Sequence, residues 1–283
     1  MNAFAPCLVV FTLSSVLLAA EEDGSFDKSL TVSGVVDLDV KTDSGGITVR
    51  QGSAGTVRIH AILKADHGWF SSGDAEGRIR ELESHPPVEQ NGDRVRVGYV
   101  RDSGLLKGIS MRFEIETPAG TQLRAHADSG GIRVEGLQGP VDCKTDSGGI
   151  DIDDVSSTVH AAADSGGIHV RNVKGSLFAH VDSGGIDASG IGGSIEAETD
   201  SGAIRLSQTS PAPIYAKADS GGVTVTLAHG AGYDINAETD SGHISTPEMT
   251  VRSAFSAHHI EGKVGGGGPL VKIQVESGSV TIN

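Results

Sequence analysis

Residues 121–188 read TQLRAHADSGGIRVEGLQGPVDCKTDSGGIDIDDVSSTVHAAADSGGIHVRNVKGSLFAHVDSGGIDA, and one phrase keeps returning in them: Asp-Ser-Gly, a small residue, then Ile. Over residues 121–245 its Asp falls at Asp128, Asp146, Asp164, Asp182, Asp200, Asp219 and Asp240, in steps of 18, 18, 18, 18, 19 and 21 residues. A fixed period of this size is the mark of units that bury their apolar faces only by stacking on one another.

In register, the repeats assign a side to every residue. Five residues before each Asp stands Leu123, Val141, Val159, Leu177, Ile195, Ile214 or Ile235, and three before it stands Ala, or Cys at Cys143. Four residues after the Asp come Ile132, Ile150, Ile168, Ile186, Ile204, Val223 and Ile244, with a second apolar residue two further on in most copies. Alternation with period 2 is the pattern of a half-buried strand. Each copy therefore predicts two short strands joined at Ser-Gly-Gly and closed by a second turn. Stacked at ~4.8 Å, such copies form an all-β, single-stranded β-solenoid (β-helix) of about 18-residue coils, in which Asp128 to Asp240 spans roughly 29 Å. The repeated Ala lets the two inner faces approach closely. Cys143, at one of these positions, reads as a buried small hydrophobe.

The rest of the chain extends this pattern. Val36, Leu38 and Val40 lead into Asp43-Ser44-Gly45-Gly46-Ile47, an early copy of the phrase. Residues 74–84, with Ile79 and Leu82 among charges and Pro86 beyond, predict a short helix. Asn91-Gly92 inside residues 88–97 predicts a hairpin. Trp69 and Phe70 are expected to cover an open end or flank of the stack. After Ser245 the period loosens; Pro247 ends the last regular strand, Phe255 and Ile260 are candidate covers, and residues 265–269 (GGGGP) form a break. Residues 271–282 imitate the phrase once more and read as a final coil. The division expected is a signal peptide at 1–20, an N-terminal β portion at 26–118 with a helix-hairpin insertion at 66–97, tandem repeats at 119–246 and closing strands at 247–283. Residues 28–283 read as one continuous domain.

Composition bounds the function. Residues 4–20 carry no charge and end in small residues before Glu21-Glu22-Asp23, which reads as a secretory signal rather than a membrane span of ~20 residues. Removing it leaves Cys143 as the sole cysteine and no transmembrane segment. A net charge of −15 argues against nucleic acid and anionic membrane as partners. Aromatic residues make up only 4%, too few for the platforms that a β-helical carbohydrate-active enzyme would use.

Three features invite a sharper reading. A row of Asp at ~4.8 Å repels by roughly 0.9 kcal/mol per neighbouring pair even in water. An Asx-turn, each Asp accepting N–H groups from the following Ser-Gly-Gly, would offset this, and on that reading Gly149→Val should weaken the stack. One Asp and one Ser per coil supply too few oxygens for calcium. Outward residues Arg133, Asp151, His169, Asp187 and Arg205 read as a ladder of complementary charges, with the His as surface members rather than ligands. Asp-Ser-Gly-Gly also echoes a serine-protease segment, but it recurs throughout the chain and reads as a turn. No catalytic, cofactor-binding or metal-binding residue is expected, and none is named.

VVDLDVKTDSGGITV (35–49), VEQNGDRVRV (88–97), FEIETPAGTQL (113–123), the tandem SGGI coils and ESGSVTIN (276–283) together resemble the bacterial DUF4097 family, whose members are described as adhesins and are allied to auto-transporter adhesin heads with a GIN ending. The resemblance implies a β-solenoid in an exported, periplasmic, cell-surface or extracellular setting. With the export signal, the rigid repeat and the lack of a catalytic constellation, the chain reads as a noncatalytic adhesin or envelope scaffold with a protein, peptide or glycan partner. Some relatives are tied to envelope stress, so the alternative is a stress sensor or a binder of cationic antimicrobial peptides, which the acidic composition would attract.

Overall fold

The computed structural model describes residues 23–65, 75–246 and 251–283, the side chains of 251–255 excepted. The expected signal peptide, Trp69, Phe70, Pro247 and the side chain of Phe255 lie outside these residues.

Among the described residues the chain folds into a 13-stranded and a 12-stranded sheet, packed face to face. Each coil contributes one strand to each. Val141–Ser147 and Ile150–Val155 are typical. Val141, Cys143 and Thr145 are buried while Asp142 and Lys144 face out. Neighbouring coils pair in parallel and in register, Cys143 between Ala125 and Ala161 and Ile150 between Ile132 and Ile168. The isoleucine, valine and alanine columns fill the space between the sheets, and each fully buried Ile or Val contributes roughly 1.5–3 kcal/mol. Burial pushes the Cys143 thiol well above the ordinary range, with Asp142 adding to the shift.

A third inward position, just before each Asp, is polar in some coils. Thr145, Thr199 and Thr239 are buried there. Their hydroxyls donate to the carbonyl oxygens of Gly130, Gly184 and Gly278 in the adjoining coils, at 3.1, 3.1 and 3.0 Å. A buried hydroxyl with a partner costs little, and each bond contributes about 1 kcal/mol.

The corners differ from expectation in two ways. Their N–H groups do not turn back to the Asp. Gly148 N donates to Ser165 O of the next coil and Gly130 N to Ser147 O, so the corner continues the inter-coil ladder and no Asx-turn forms. The residue two before the Asp shares its outward face, and at four corners it is the partner of the Asp, whereas Ala162, Glu198 and Glu238 stand there before Asp164, Asp200 and Asp240. Lys41 lies 3.7 Å from both Asp43 and Asp128, His126 2.9 Å from Asp128, His180 3.0 Å from Asp182 and Lys217 3.1 Å from Asp219. The second difference is which glycine matters. A Cβ on Gly148, whose φ is +151°, would lie 2.3 Å from Gly130 O, whereas one on Gly149 meets nothing closer than Gly167 O at 3.4 Å.

The stack is closed at its N-terminal end by the excursion between the first two copies of the phrase. Ile47–Gln51 pairs with Ile109–Thr117, which pairs antiparallel with Thr56–Ala65, itself antiparallel to Gly24–Thr31. On the other sheet Arg94–Val97 of the hairpin pairs with Asp37–Ser44. The helix, Ala75–Ser84, buries Ile79 and Leu82 as its spacing predicts, and Glu83 accepts from Ser25 N at 2.9 Å. The first copy then stacks on the first tandem coil, Leu38 opposite Leu123.

At the other end the coil order departs from the sequence order. Leu270–Ser277 lies between Ile214–Ser220 and Tyr233–Ser241, with Ile273 opposite both Ala216 and Ala237. Val280–Ile282 lies likewise between Val223–Thr226 and Ile244–Ser245. The last segment is therefore an inserted coil, not a final one. Asp219 and Asp240 stand two steps apart, which lengthens the Asp128–Asp240 span to roughly 34 Å. The outermost coil is covered on the larger sheet by the hairpin of Val251–Phe255 and His259–Val264.

Candidate functional site

Parallel coils in register turn a residue type at one position into a row on the surface. Four residues before each corner Asp, on the outer face of the 13-stranded sheet, the row runs Arg124, Asp142, His160, Phe178, Glu196, Tyr215. The parallel row two residues on runs His126, Lys144, Ala162, His180, Glu198, Lys217. Two things break its regularity. His160 and Phe178 stack with ring centroids 4.5 Å apart and planes 4° from parallel. Beside them Ala162 has no side chain to fill its place.

The result is a depression of about 180 Å³ lined by Asp142, His160, Ala162, Phe178, His180, Glu196 and Glu198. One wall is the stacked ring pair and the rim carries three carboxylates. His180 joins the rim to the corner, its Nε2 3.0 Å from Asp182 and its Nδ1 3.8 Å from Glu198. Farther along, the Tyr215 hydroxyl bonds Gln274 Oε1 at 3.2 Å, and burial raises its pKa, with the Glu198 charge adding to the shift. The stack leaves one face of each ring uncovered by the other, and a ring face carries negative potential that attracts cations. Carboxylates at the edge add to this attraction, so the depression suits an amine or guanidinium better than an anion.

Two other hollows are explained by their own residues. One at the N-terminal end, about 420 Å³, holds Arg50 and Arg58 on Glu116 at 2.9 and 3.5 Å and His60 on Asp27 at 2.9 Å. A hollow along the second turns is lined by Asp154, Asn172 and Gly190, whose φ angles of 55°, 56° and 73° mark one left-handed position repeated from coil to coil. Asp and Asn tolerate that conformation best after Gly, so these residues are accounted for by the turn. His126, Asp128 and Asp146 converge within 4.8 Å, but the Lys41 ammonium already stands beside Asp128.

The expected outward ladder on the other sheet is present, with Arg133 3.4 Å and His169 3.7 Å from Asp151. The ring pair was not anticipated. Its signal was available, since His160 and Phe178 are 18 residues apart at the same position of the repeat. Among the described residues no helix is long and apolar enough to cross a membrane.

Solved structures with similar chain traces include a "putative adhesin" from Bacteroides fragilis, 13% identical, covering 92% of this chain and 97% of that one with a TM-score of 0.39. A "putative adhesin" from Parabacteroides merdae is 13% identical over 92% and 96%, TM-score 0.28. A "putative cell adhesion protein" from Clostridium sporogenes is 11% identical over 91% and 98%, TM-score 0.23. Similarity at this level says nothing of what this chain binds. No curated protein sequence matches it. The family model for Toastrack DUF4097 matches residues 29–283, which include both sheets, both ends and the inserted coil, and the chain belongs to that family.

Proposed function

We propose that the chain is an exported, noncatalytic binding module that works at the bacterial envelope or surface as an adhesin or scaffold, through the outer face of its 13-stranded sheet. The observation that carries this is the His160–Phe178 ring pair beside the Ala162 gap. A repeat that needed only solvation would place charged or small residues there. The family membership and the uncharged segment at 4–20 agree with export. Absence of catalysis is part of the proposal and rests on the corners. Their serines are repeated turn residues, and the Ser279–His243 contact, at 3.5 Å and exposed, is too long for an activated nucleophile.

The three carboxylates around the rings favour a second, narrower reading in which the ligand is a cationic peptide. Electrostatic capture of that kind weakens steeply with salt. The test is a pull-down with the purified chain against envelope extracts, with and without chelator, alongside a titration with a Lys/Arg-rich peptide at low and high salt. Phe178→Ala is expected to weaken capture by roughly 2- to 30-fold, the worth of about 0.5–2 kcal/mol of cation–ring attraction. It should leave the melting temperature nearly unchanged, because Phe178 points outward. Equal capture by the parent and Phe178→Ala chains would rule out this face, and turnover of an envelope polysaccharide would rule out a noncatalytic role.

A further inference from the structure

We propose that the slot between the coil at 214–226 and the coil at 233–245 is a strand-acceptor site whose second natural occupant is residues 269–283 of another copy of this chain, so that two copies assemble by exchanging their inserted coils.

The inserted coil is held only by the neighbours that form the slot. Its strands pair with Ile214–Ser220 and Tyr233–Ser241 on one sheet, and with Val223–Thr226 and Ile244–Ser245 on the other. Its apolar face, Val271, Ile273, Val275, Val280 and Ile282, is buried. Every one of these contacts would be the same if the segment came from a second molecule, so exchange costs little in contact energy.

The segment reaches the slot in its own chain by an unusual route. The loop at 265–268 must cross the loop at 227–232, whereas connections in most folds avoid crossing. The crossing is made of glycine on both sides. A Cβ on Gly232 would lie 2.5 Å from Gly267 O, and one on Gly268 would lie 2.5 Å from Gly232 O. Gly265 and Gly267 bend back with φ of +60° and +79°. Straightening this four-glycine hinge removes the crossing and carries the segment away from its own slot. Asp234 fastens the closed form, accepting from Gly268 N at 3.3 Å with Lys263 Nζ at 3.1 Å. Those two partners hold its carboxyl below the usual range.

One apolar side chain is exposed beside the hinge. Leu270, the first residue past Pro269, is 48% exposed. In a reciprocal exchange the two hinges run side by side, and Leu270 of each copy is covered by the other. A two-fold pairing of this kind closes on itself and forms no fibre.

The test uses the full chain carrying Cys7→Ala and Cys143→Ala. One preparation has Ser277→Cys and the other Ser220→Cys, which are register partners across the slot. They are mixed at high concentration, warmed briefly to just below the unfolding transition, cooled and oxidised. The expected result is a covalent heterodimer. The control, Ser277→Cys mixed with Ser147→Cys, joins two equivalent corners that no exchange brings together and should give none. In parallel, the unmodified chain treated the same way should double its mass by light scattering, and the doubled species should persist on dilution. A mass that stays monomeric throughout, or a heterodimer no more abundant than in the control, would overturn the proposal. Neither outcome bears on the ring-lined face.

Discussion

Gly148→Val is expected to destabilise the chain by about 3 kcal/mol or more, while Gly149→Ala should cost less than about 1 kcal/mol. At Gly148 a side chain meets two penalties. Its φ of +151° is one that L-residues avoid, and its Cβ would sit 2.3 Å from Gly130 O. That oxygen belongs to the backbone of the adjoining coil, so it cannot move without shifting the corner it forms. The same approach recurs at Gly130, Gly166, Gly184, Gly202 and Gly221, with distances of 1.8–2.1 Å to the preceding corner's carbonyl. The second position of the corner has room, and the chain itself uses it: Ala203, His243 and Ser279 occupy it. Chemical denaturation of the two variants measures the contrast, and equal losses would show that corner spacing is not what the first glycine provides.

Ile273→Asp is expected to cost about 4 kcal/mol or more, as much as a buried charge in the middle of the tandem coils. Ile273 is fully buried between the columns of Ala216 and Ala237. Its register partners are alanines, and no basic side chain is buried among the described residues. Lys272→Ala, one residue away on the outer face, should change stability by no more than about 0.5 kcal/mol. Were the segment a loosely attached last turn, Ile273→Asp would instead be mild. Thermal melts of the pair distinguish the two situations.

Most of the architecture could be read from the period alone, because in a parallel stack the sequence repeat and the spatial repeat are the same thing. The inward columns, the strand pair of each coil, the short helix on Ile79 and Leu82 and the Asn91-Gly92 hairpin all follow from local pattern. Coil order does not. The phrases at Asp219, Asp240 and Glu276 are nearly equivalent, so any of them fits against any other in register, and local pattern cannot choose between them. The one clue is the long step of 21 residues from Asp219 to Asp240, three more than a single rise requires. The corner was misread for a related reason. Both of its glycines look alike in most copies, and only the exceptions at Ala203, His243 and Ser279 reveal which of them is constrained. The partners of four corner Asp residues, Lys41, His126, His180 and Lys217, stand two residues before their Asp, which places them on the same outer face by strand alternation. The binding face was legible in principle as well, through the 18-residue spacing of His160 and Phe178. What the sequence could not supply is the 4.5 Å stacking of their rings.

The central claim is that in-register coils build both sheets and that the last segment of the chain lies between the two coils that precede it. Paired cysteines in a background carrying Cys7→Ala and Cys143→Ala test it on the monomer. Ser220→Cys with Ser277→Cys, and Ser277→Cys with Ser241→Cys, should each form an intramolecular disulfide, since these serines are register partners. Ser220→Cys with Ser241→Cys should not, because a coil stands between them. Ready closure of the Ser220–Ser241 pair, with failure of the other two, would mean that the coils stack in simple sequence order and would contradict the account.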